Sequence, residues 1–281
     1  MSLLSFTQIT NYLKFDNRWQ VIVERVFFRK TGLQVLRYNG LDILLDHRAD
    51  DAGSIIRCLC QDMYRPLLAD LPKDKPLNVL DVGANAGGFS LLVLSELQVA
   101  KLVAIELNPN TTHRARFNIE SACPNATAIN AAVTCDGRAL DLMLGRGSTS
   151  DNITIGTYGH GQPYSVPGIT LADAVSLFSE HIDLCKIDIE GAESEVLLKG
   201  ETSPLENIDR LIIELHHRKD LLAICEVLRS HGLRAVQGPD CGVNLFVRSV
   251  GVVGQTIFRQ DTSSAALAPH RSHNLDNATR H

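Results

Sequence analysis

A glycine-rich segment in the first half of the chain constrains the fold more than any other feature. Leu77–Val82 is a short, mostly apolar run of strand length, followed closely by Gly83, Gly87 and Gly88. From residue 89 to 97 the apolar residues recur mostly at helical spacing, which predicts a strand, a glycine loop and a helix. Glycine lets a ligand approach the backbone, and the helix start offers unpaired N–H groups. The segment therefore predicts a nucleotide-type binding loop.

Acidic residues around this loop discriminate between nucleotides. A dinucleotide site favours G-x-G-x-x-G, but here Asn85 replaces the middle glycine and Asp81 ends the strand. A carboxylate at Asp81 would repel a pyrophosphate, whereas it suits the ammonium group at the methionine end of S-adenosylmethionine (SAM). The second strand ends at Glu106, whose two oxygens match the ribose hydroxyls. The pattern favours SAM over NAD, with an ordinary dinucleotide turn and an incidental aspartate as the alternative.

Other expected ligand contacts come from the same loop and from the third predicted strand. That strand covers residues 127–133, and the small residues near its end would leave room for an adenine ring. We expect a bulky side chain at Gly83 to occupy ligand space and to abolish binding in a protein that still folds. The residues expected to contact SAM are Asp81, Gly83, Ala84, Asn85, Gly87, Glu106, Leu107 and Ala131.

Length and composition exclude several other classes of protein. The chain has 281 residues, enough for one large α/β domain or for a core with an added N-terminal piece. A net charge of -5 argues against a nucleic-acid partner. No apolar run reaches the roughly 18 residues of a membrane span, and the N-terminus does not resemble a signal peptide. The seven cysteines are scattered without a C-x-x-C pair, so we expect reduced thiols and a cytoplasmic location.

The first 75 residues predict a cap that precedes the core. Residues 1–30 have a helical pattern, and two apolar runs flank Asn39-Gly40, which favours a hairpin with a type I′ turn. Residues 52–68 predict a helix that stops before Pro72. We expect this cap to bind the acceptor molecule or a second subunit of a homo-oligomer, and a purely structural collar is the alternative.

Residues 76–255 predict the core, because strands and helices alternate there as in a parallel sheet with right-handed crossovers. Within it, residues 145–168 are rich in Gly, Ser and Thr without a period, which predicts a long functional or disordered loop. Tyr158 and His160 are its candidate contacts with the pocket. Residues 256–281 predict a disordered tail.

Four acidic residues stand at the carboxyl ends of four predicted core strands, namely Asp81, Glu106, Asp188 and Glu214. Ligands of open α/β sheets bind outside these strand ends. Charged residues that only keep a protein soluble would not be concentrated at strand ends, so the pattern predicts a ligand-binding site. His216 follows the fifth strand, at a place that suits a base, a metal ligand or a surface histidine.

Several motifs in the expected order resemble FkbM-type methyltransferases. They are Asp81-Val-Gly-Ala-Asn-Ala-Gly87, Ala104-Ile-Glu-Leu-Asn-Pro109, Asp183-Leu-Cys-Lys-Ile-Asp-Ile-Glu-Gly-Ala-Glu193, Leu197-Leu-Lys-Gly200 and Ile212-Ile-Glu-Leu-His216. The resemblance covers about half of the chain. It implies a class I SAM methyltransferase fold, with a mostly parallel seven-stranded sheet, helices on both faces and a terminal antiparallel strand. It also implies O-methylation of a hydroxyl on a small molecule, a glycan or another natural product.

Asp188, Glu190 and His216 are the candidate catalytic residues around the acceptor hydroxyl. Glu190 is expected to open the helix after the fourth strand. A base in this group would take the hydroxyl proton, and if it is His216, activity should rise with pH through roughly 6.5 unless nearby carboxylates shift it. Alternatively, Asp188, Glu214 and His216 would gather a Mg²⁺-like ion. The sequence leaves the metal undecided, because Glu-Leu-His replaces the neighbouring Asp/Asn ligands of metal-dependent catechol-type enzymes.

Two other functions remain as alternatives. A non-catalytic SAM-binding or interaction protein would keep the fold but would tolerate loss of the acceptor-side groups, all of which are present here. An NAD-dependent oxidoreductase is disfavoured by Asp81 and Asn85 in the glycine loop. Titration with SAM, S-adenosylhomocysteine and NAD would separate the three functions.

Overall fold

A mostly parallel sheet of seven strands forms the centre of the fold. The computed structural model describes residues 10–26, 32–49, 51–144 and 162–249. The helices in this part of the chain are α1 (Arg18–Val26), α2 (Asp51–Cys60), α3 (Gly88–Glu96), α4 (Pro109–Glu120), α5 (Leu171–Ser176), α6 (Glu193–Lys199) and α7 (Leu221–Ser230). The strands are β1 (Leu33–Tyr38), β2 (Leu41–Asp46), β3 (Leu77–Val82), β4 (Val99–Glu106), β5 (Ala126–Asn130), β6 (Ala132–Val133), β7 (Leu140–Leu144), β8 (Gln162–Val166), β9 (Gly168–Ile169), β10 (Leu184–Ile187), β11 (Arg210–Leu215), β12 (Leu233–Ala235) and β13 (Gly242–Arg248).

The strand order of the large sheet is β12-β13-β11-β10-β3-β4-β5. Strands β3, β4, β5, β10 and β11 are parallel, and β13 is antiparallel to both of its neighbours. The chain adds β4 and β5 on one side of β3 and later adds β10 and β11 on the other side. The order thus reverses between β3 and β10, the place where such sheets bind ligands. The predicted α/β architecture, with its terminal antiparallel strand, is confirmed.

Helices cover both faces of the sheet because its central strands are apolar on both sides. Along β3, Leu77 and Val79 belong to a buried cluster shared with α3 and α4. Leu80 and Val82 belong to a second cluster, shared with α5, α6 and α7. The alternation follows the two-residue period of a strand, and it fixes β3 between the two cores.

The N-terminal hairpin has the turn that its sequence predicts. β1 and β2 pair antiparallel across Asn39 and Gly40, whose φ angles of 47° and 79° are both positive, as a type I′ turn requires. Leu36, Ile43 and Leu59 of the N-terminal segment are buried in the same apolar cluster as α3. The predicted helix over residues 52–68 is wrong in length, since α2 ends at Cys60 and only a 3-10 turn follows.

Polar contacts also join the N-terminal segment to the core. Arg114 on α4 forms a buried ion pair with Asp51 at the start of α2. The side-chain amide of Asn118 donates to Leu44 O at 2.9 Å and to Ala86 O in the glycine loop at 2.8 Å. Asn118 therefore holds the hairpin and the loop together. The division of the chain into cap, core and tail stays a prediction.

The prediction of one long loop over residues 145–168 is wrong at its end. Gln162–Val166 is β8, which pairs antiparallel with β7, and Gly168–Ile169 is β9, which pairs parallel with β6. These strands could not be predicted from the sequence, because Gln, Pro and Ser interrupt any alternation of apolar and polar residues. Residues 145–161, which include Tyr158 and His160, lie outside the described residues, as does the predicted tail.

The start of α6 also differs from the prediction. The helix begins at Glu193, whereas Glu190 and Gly191 precede it with φ angles of 54° and 100°. Glu190 is therefore a left-handed turn residue and does not occupy the first turn of a helix. Among the described residues, no helix has the length and apolar character needed to cross a membrane.

Candidate active site

A cavity of about 280 Å³ opens at the carboxyl ends of β3, β4, β10 and β11, where the strand order reverses. Most of the residues selected from the sequence line it, namely Gly83, Ala84, Asn85, Glu106, Leu107, Ala131, Asp188, Glu190, Glu214 and His216. Asp81 and Gly87 are not among the residues that line the cavity. The strand-end acids are thus gathered at one site, except that Asp81 lies behind its wall.

Gly83 is required by the packing of two strands. Its φ angle is 78°, and a Cβ atom built on it would lie only 1.7 Å from the backbone oxygen of Asp188. The expectation that a side chain at Gly83 would collide with the ligand in an intact fold is therefore wrong. Such a side chain would collide with the end of β10 and would destabilise the protein itself.

Glu106 is fixed by backbone donors on either side of its carboxylate. Its Oε2 accepts from Asn85 N at 2.9 Å and its Oε1 accepts from Asn108 N at 2.8 Å. Each oxygen keeps a further lone pair, so the pair can accept two more hydrogen bonds from the cavity. The side chain is only 8% exposed, and burial raises its pKa to about 7. Glu106 is thus a positioned acceptor whose charge changes near neutral pH.

Three charged residues, which we call the lysine cluster, lie where β3 and β10 are adjacent: Asp81, Lys186 and Asp188. Lys186 Nζ lies 3.7 Å from Asp81 Oδ1 and 3.2 Å from Asp188 Oδ2, and it donates to Gly83 O at 3.2 Å. Burial opposes the charge on Lys186, but the carboxylates of Asp188 and Asp81 raise its pKa well above the usual value. The ammonium group therefore stays charged in the wall of the cavity.

Lys186 lies within one of the family-like motifs, but no role for it is predicted from the sequence. A lysine among the four buried residues of β10 is the signal that could have revealed it, because lysine is almost never fully buried without a partner. Asp81 is its buried partner: Oδ2 accepts from Ser90 Oγ at 2.6 Å, and Oδ1 has no hydrogen-bond partner within the described part of the chain.

A second group, which we call the histidine cluster, consists of Glu190, Glu193 and His216. His216 Nδ1 lies 3.2 Å from Glu193 Oε1, and Nε2 lies 3.6 Å from Glu190 Oε2. Glu193 is buried and accepts from Ile189 N at 2.9 Å and from Gly191 N at 3.3 Å, so its carboxylate is fixed. Glu193 raises the pKa of His216 to about 9. The imidazole is therefore mainly protonated at neutral pH.

Glu193 is a site residue for which the sequence predicts no role, since it appears there only as the last residue of a motif. Its carboxylate turns back to the loop that precedes α6, a contact that no local pattern predicts. By contrast, Glu190 is half exposed in the cavity wall, and burial raises its pKa and that of Glu214. The left-handed conformation of Glu190 is sterically costly for a residue with a Cβ atom, by about 1–3 kcal/mol, and such strain is common at functional sites.

The potential metal ligands differ from the expected set. In the described part of the chain, ligand atoms of Asp188, Glu193 and His216 lie within 4.8 Å of one another, so Glu193 takes the place expected for Glu214. Because the pKa of His216 is raised to about 9, a metal would have to displace a proton from the imidazole.

The N-terminal segment supplies part of the cavity wall. Ser54 and Arg57 of α2 line it, as do Met63 and Tyr64 of the following turn. The Tyr64 ring packs edge to face against Phe89, with 5.2 Å between the ring centroids. The cap is therefore part of the site, although its predicted role in binding an acceptor or a subunit stays a prediction.

The fold and the cavity define a class I methyltransferase-like α/β protein. The family model of the methyltransferase FkbM domain matches residues 81–235, more than half of the chain. The chain therefore belongs to the FkbM methyltransferase family.

Individual relatives are distant. The chain is 25% identical over 168 residues to hexuronic acid methyltransferase AglP of Haloferax volcanii, covering 60% of this chain and 67% of that protein. It is 24% identical over 197 residues to AMB antimetabolite synthetase AmbE of Pseudomonas aeruginosa, covering 55% of this chain but only 9% of that protein. A solved structure of methyltransferase FkbM from Methylobacillus flagellatus superposes with a TM-score of 0.41 and 14% identity, over 61% of this chain and 43% of that one.

Proposed function

We propose that this protein is a SAM-dependent O-methyltransferase that acts on a hydroxyl group of a small molecule or sugar. The observation that carries the proposal is Glu106, held by Asn85 and Asn108 at the edge of the cavity with two acceptor positions to spare. A vicinal diol such as that of ribose needs such a pair of acceptors. Ala131 and Ala132, both in the cavity wall, leave room for a flat ring. The residues present therefore fit an adenosine ligand.

SAM supplies a methyl group that its sulfonium leaving group has already activated. The protein then has two tasks, which are to orient the acceptor oxygen and to take its proton. Asp188, Glu190 and His216 line one cavity with Glu106, which supports a role for them beside the acceptor. Methyl transfer to oxygen forms the O–CH₃ bond as the S–CH₃ bond breaks, and the hydroxyl proton passes to a base.

His216 is the base in this proposal, and Glu193 is its positioning residue. The buried Glu193 carboxylate lies beside Nδ1, so Nε2 can take the acceptor proton once the ring is neutral. Glu190 lies near the same Nε2, where its carboxylate can hold a hydroxyl group before the reaction. Because the pKa of His216 is about 9, the active neutral form becomes abundant only at alkaline pH.

A sugar acid is the first acceptor class to test. The relative AglP is described as a hexuronic acid methyltransferase, and Arg57 offers this chain an exposed cation at the cavity wall. Arg57 can pair with an acceptor carboxylate and leave a ring hydroxyl to the histidine cluster. An acidic acceptor would account for the presence of Arg57 among the acidic residues of the cavity wall.

The test begins with ligand binding and ends with product. Titration calorimetry with SAM, S-adenosylhomocysteine and NAD should show binding of the first two and none of NAD. Labelled SAM with hexuronic acid glycosides and matched neutral hexose glycosides should then yield methyl ethers. Binding of NAD in preference to S-adenosylhomocysteine would overturn the proposal. Binding of S-adenosylhomocysteine without transfer to any hydroxylated acceptor would favour a non-catalytic role.

Arg57→Gln provides the matched test of the acceptor class. It should raise KM for the acidic glycoside by about tenfold, leave the neutral glycoside unaffected and leave S-adenosylhomocysteine affinity unchanged. Equal kinetics with the two glycosides in the unmodified protein would remove sugar acids as the preferred class.

A further inference from the structure

The N-terminal hairpin buries only one of its two faces. Successive side chains of β1 and β2 point to opposite sides, and the inner side carries Leu36, Ile43 and Leu45 into the apolar core. The outer side, which we call the hairpin face, consists of Leu33, Val35 and Arg37 on β1 and of Asp42, Leu44 and Asp46 on β2. A solvated face of an antiparallel sheet is usually polar, whereas the middle of the hairpin face is apolar. The hairpin face therefore has the composition of a covered surface.

Exposed apolar side chains are concentrated on and beside the hairpin face. Leu33 and Val35 are 54% and 42% exposed. Asn17, just before α1, donates its side-chain amide to Val35 O at 3.0 Å, so α1 begins alongside β1. On α1 itself, Trp19 is 67% exposed and Val23, one turn further on, is 41% exposed. Exposed apolar side chains that occur as a group mark an interaction surface.

Both edges of the hairpin are closed by side-chain amides. Asn17 Nδ2 donates to Val35 O, and Asn17 Oδ1 accepts from Arg37 N at 2.8 Å. On the other edge, Asn118 Oδ1 accepts from Leu44 N at 2.6 Å and Asn118 Nδ2 donates to Leu44 O at 2.9 Å. These contacts occupy backbone groups with which an added strand would pair. A partner would therefore pack on the hairpin face and would not extend the hairpin.

The charges on the hairpin face indicate the kind of partner. Arg37 and Asp42 lie opposite each other on β1 and β2 and form an exposed ion pair, with Nε and Oδ1 2.8 Å apart. Asp46, at the other end of the face, pairs with Arg48 at 3.1 Å. The charges are balanced at each end, whereas a membrane-binding surface is usually rich in Lys and Arg. Both signs on one surface allow that surface to complement a copy of itself.

A two-fold axis parallel to the strands matches the hairpin face to itself. It places β1 of one copy over β2 of the other, with the two hairpins about 10 Å apart as in packed sheets. Within each hairpin Val35 pairs with Leu44, and Arg37 pairs with Asp42. The axis therefore stacks Val35 of each copy on Leu44 of the other, and Arg37 of each copy on Asp42 of the other. Apolar residues meet at the centre, and opposite charges meet at the end.

The helices on either side of the hairpin add to the same contact. α1 lies next to β1, whereas α4 lies next to β2, because Asn118 on α4 is hydrogen-bonded to Leu44. The axis brings α1 of one copy towards α4 of the other. Trp19 on α1 and Phe117 on α4 are 67% and 46% exposed. Aromatic side chains are enriched at protein interfaces, and tryptophan often carries much of the binding energy.

We propose that the hairpin face is the interface of a homodimer, formed by a second copy of this chain packed face to face about that axis. Leu33, Val35 and Leu44 lose their exposure to water in the dimer, and Arg37 and Asp42 each gain a partner from the other copy. The interface is independent of the proposed function, because no residue of the hairpin face lines the cavity.

Measurements of mass and of fluorescence test the dimer without an activity assay. Sedimentation equilibrium at micromolar concentration should give twice the 30.8 kDa of one chain. The sequence contains a single tryptophan, so tryptophan emission reports Trp19 alone. The mass of one chain at every concentration would overturn the proposal, and binding of that single chain to vesicles of anionic phospholipid would then assign the surface to a membrane.

Variants then locate the interface on the hairpin face. Val35→Glu places a carboxylate at its centre and should weaken the dimer by about hundredfold or more. The Trp19 emission maximum should shift to longer wavelength, because dissociation exposes the indole to water. Residue 35 already faces solvent in the single chain, so the circular dichroism spectrum should not change. Leu222→Glu, at an 81% exposed residue on α7, is the matched control and should leave the mass unchanged. An intact dimer in Val35→Glu would overturn the proposal.

Reversal of charge tests the two-fold pairing itself. Arg37→Asp puts two acids at one end of the hairpin face and Asp42→Arg puts two bases there, so like charges oppose each other across each homodimer. Each variant alone should dimerise at least about tenfold more weakly. An equal mixture should regain an affinity within about threefold of that of the unmodified protein, since every acid then faces a base of the other copy. Repulsion inside each hairpin persists in the mixture, so repair of the hairpin cannot explain the recovery. No gain on mixing would overturn the proposal.

Discussion

Glu106 and His216 line the same cavity, but the protein holds them by different means. Glu106 is almost buried and receives hydrogen bonds from backbone N–H groups on both oxygens. His216 is 26% exposed and faces two acidic side chains, one of them on a strained left-handed residue. Backbone donors hold Glu106 directly, whereas His216 is held only through side chains, and Glu190 among them is half exposed on a turn. Within the proposed function, the comparison indicates that the side of the cavity proposed to hold the nucleoside is more rigid than the side proposed to hold the acceptor.

The largest expected effect lies on the acceptor side. His216→Ala should lower kcat by about 10²–10⁴, the usual contribution of a general base, while S-adenosylhomocysteine affinity stays unchanged. In the unmodified protein kcat/KM should rise with pH through about 9, because the neutral imidazole is the active form and Glu193 raises its pKa. Steady-state kinetics and calorimetry measure the two quantities separately.

A metal would give a different pattern at the same residue. If Asp188, Glu193 and His216 held a divalent cation, EDTA would abolish activity and Mg²⁺ or Mn²⁺ would restore it. Full activity of His216→Ala in the presence of EDTA would exclude both the base and the metal, and would shift the proton acceptor to Asp188 or Glu190.

The next largest effect concerns the stability of the protein when Gly83, in the glycine loop, is replaced. Gly83→Ala should lower the free energy of unfolding by about 3 kcal/mol, because the new Cβ atom would overlap the backbone of Asp188 and the φ angle is positive. Gly40→Ala is the matched control, since its φ is 79° but no atom lies within 4 Å of the new Cβ. Denaturant unfolding should show a clearly smaller loss in the control. Equal losses would mean that backbone strain alone governs both sites.

Removal of the Glu106 carboxylate, which is proposed to accept hydrogen bonds from the ribose hydroxyls, should affect ligand binding more than folding. Glu106→Ala should weaken S-adenosylhomocysteine by about 10-fold to 100-fold, which corresponds to roughly 1.5–3 kcal/mol for a hydrogen bond to a charged group. Glu106→Gln, which keeps one acceptor oxygen, should be milder. A loss below threefold in calorimetry would argue against contact with the ribose.

The charge of Glu106 also predicts a pH effect on binding. Its folded pKa is about 7, so the carboxylate is largely protonated at pH 6 and largely ionised at pH 8. The ionised form is the better acceptor for hydroxyl groups, and affinity for S-adenosylhomocysteine should therefore rise roughly fivefold to tenfold over that interval. Glu106→Gln should remove this dependence. Its persistence in the variant would assign the titration to another group.

The smallest effect should come from relief of strain on the acceptor side. Glu190→Gly should change the free energy of unfolding by no more than about 1 kcal/mol and in the stabilising direction, because glycine accepts the φ angle of 54°. It should nevertheless lower kcat, since the carboxylate beside His216 Nε2 is lost. A clear loss of stability would show that the Glu190 side chain serves packing and would weaken its assigned role.

Local patterns were sufficient for the central sheet and for the position of the site. Leu77–Val82 and the following glycines specify a strand and a sharp loop, and the acids mark strand ends, because each pattern depends on neighbouring residues only. The parallel strands then bring Glu106, Asp188 and Glu214 to one edge of the sheet. The hairpin turn could be predicted in the same way, because its conformation depends on the neighbouring residues Asn39 and Gly40.

Only the tertiary structure decided which of these residues face the cavity. Asp81 lies inside β3, opposite Lys186 of β10 and 3.7 Å from its Nζ, whereas Asp188 follows the end of β10 and lines the cavity. Tyr64 and Arg57 enter the wall from the N-terminal segment, and Glu193 turns back towards His216. The sequence by itself determined the central strands, the glycine loop and the acidic residues near the strand ends, because strands and loops depend on local backbone preference and charge depends on residue type. Burial, counter-charge and pKa depend on residues distant in the chain, and folding had to bring those residues together.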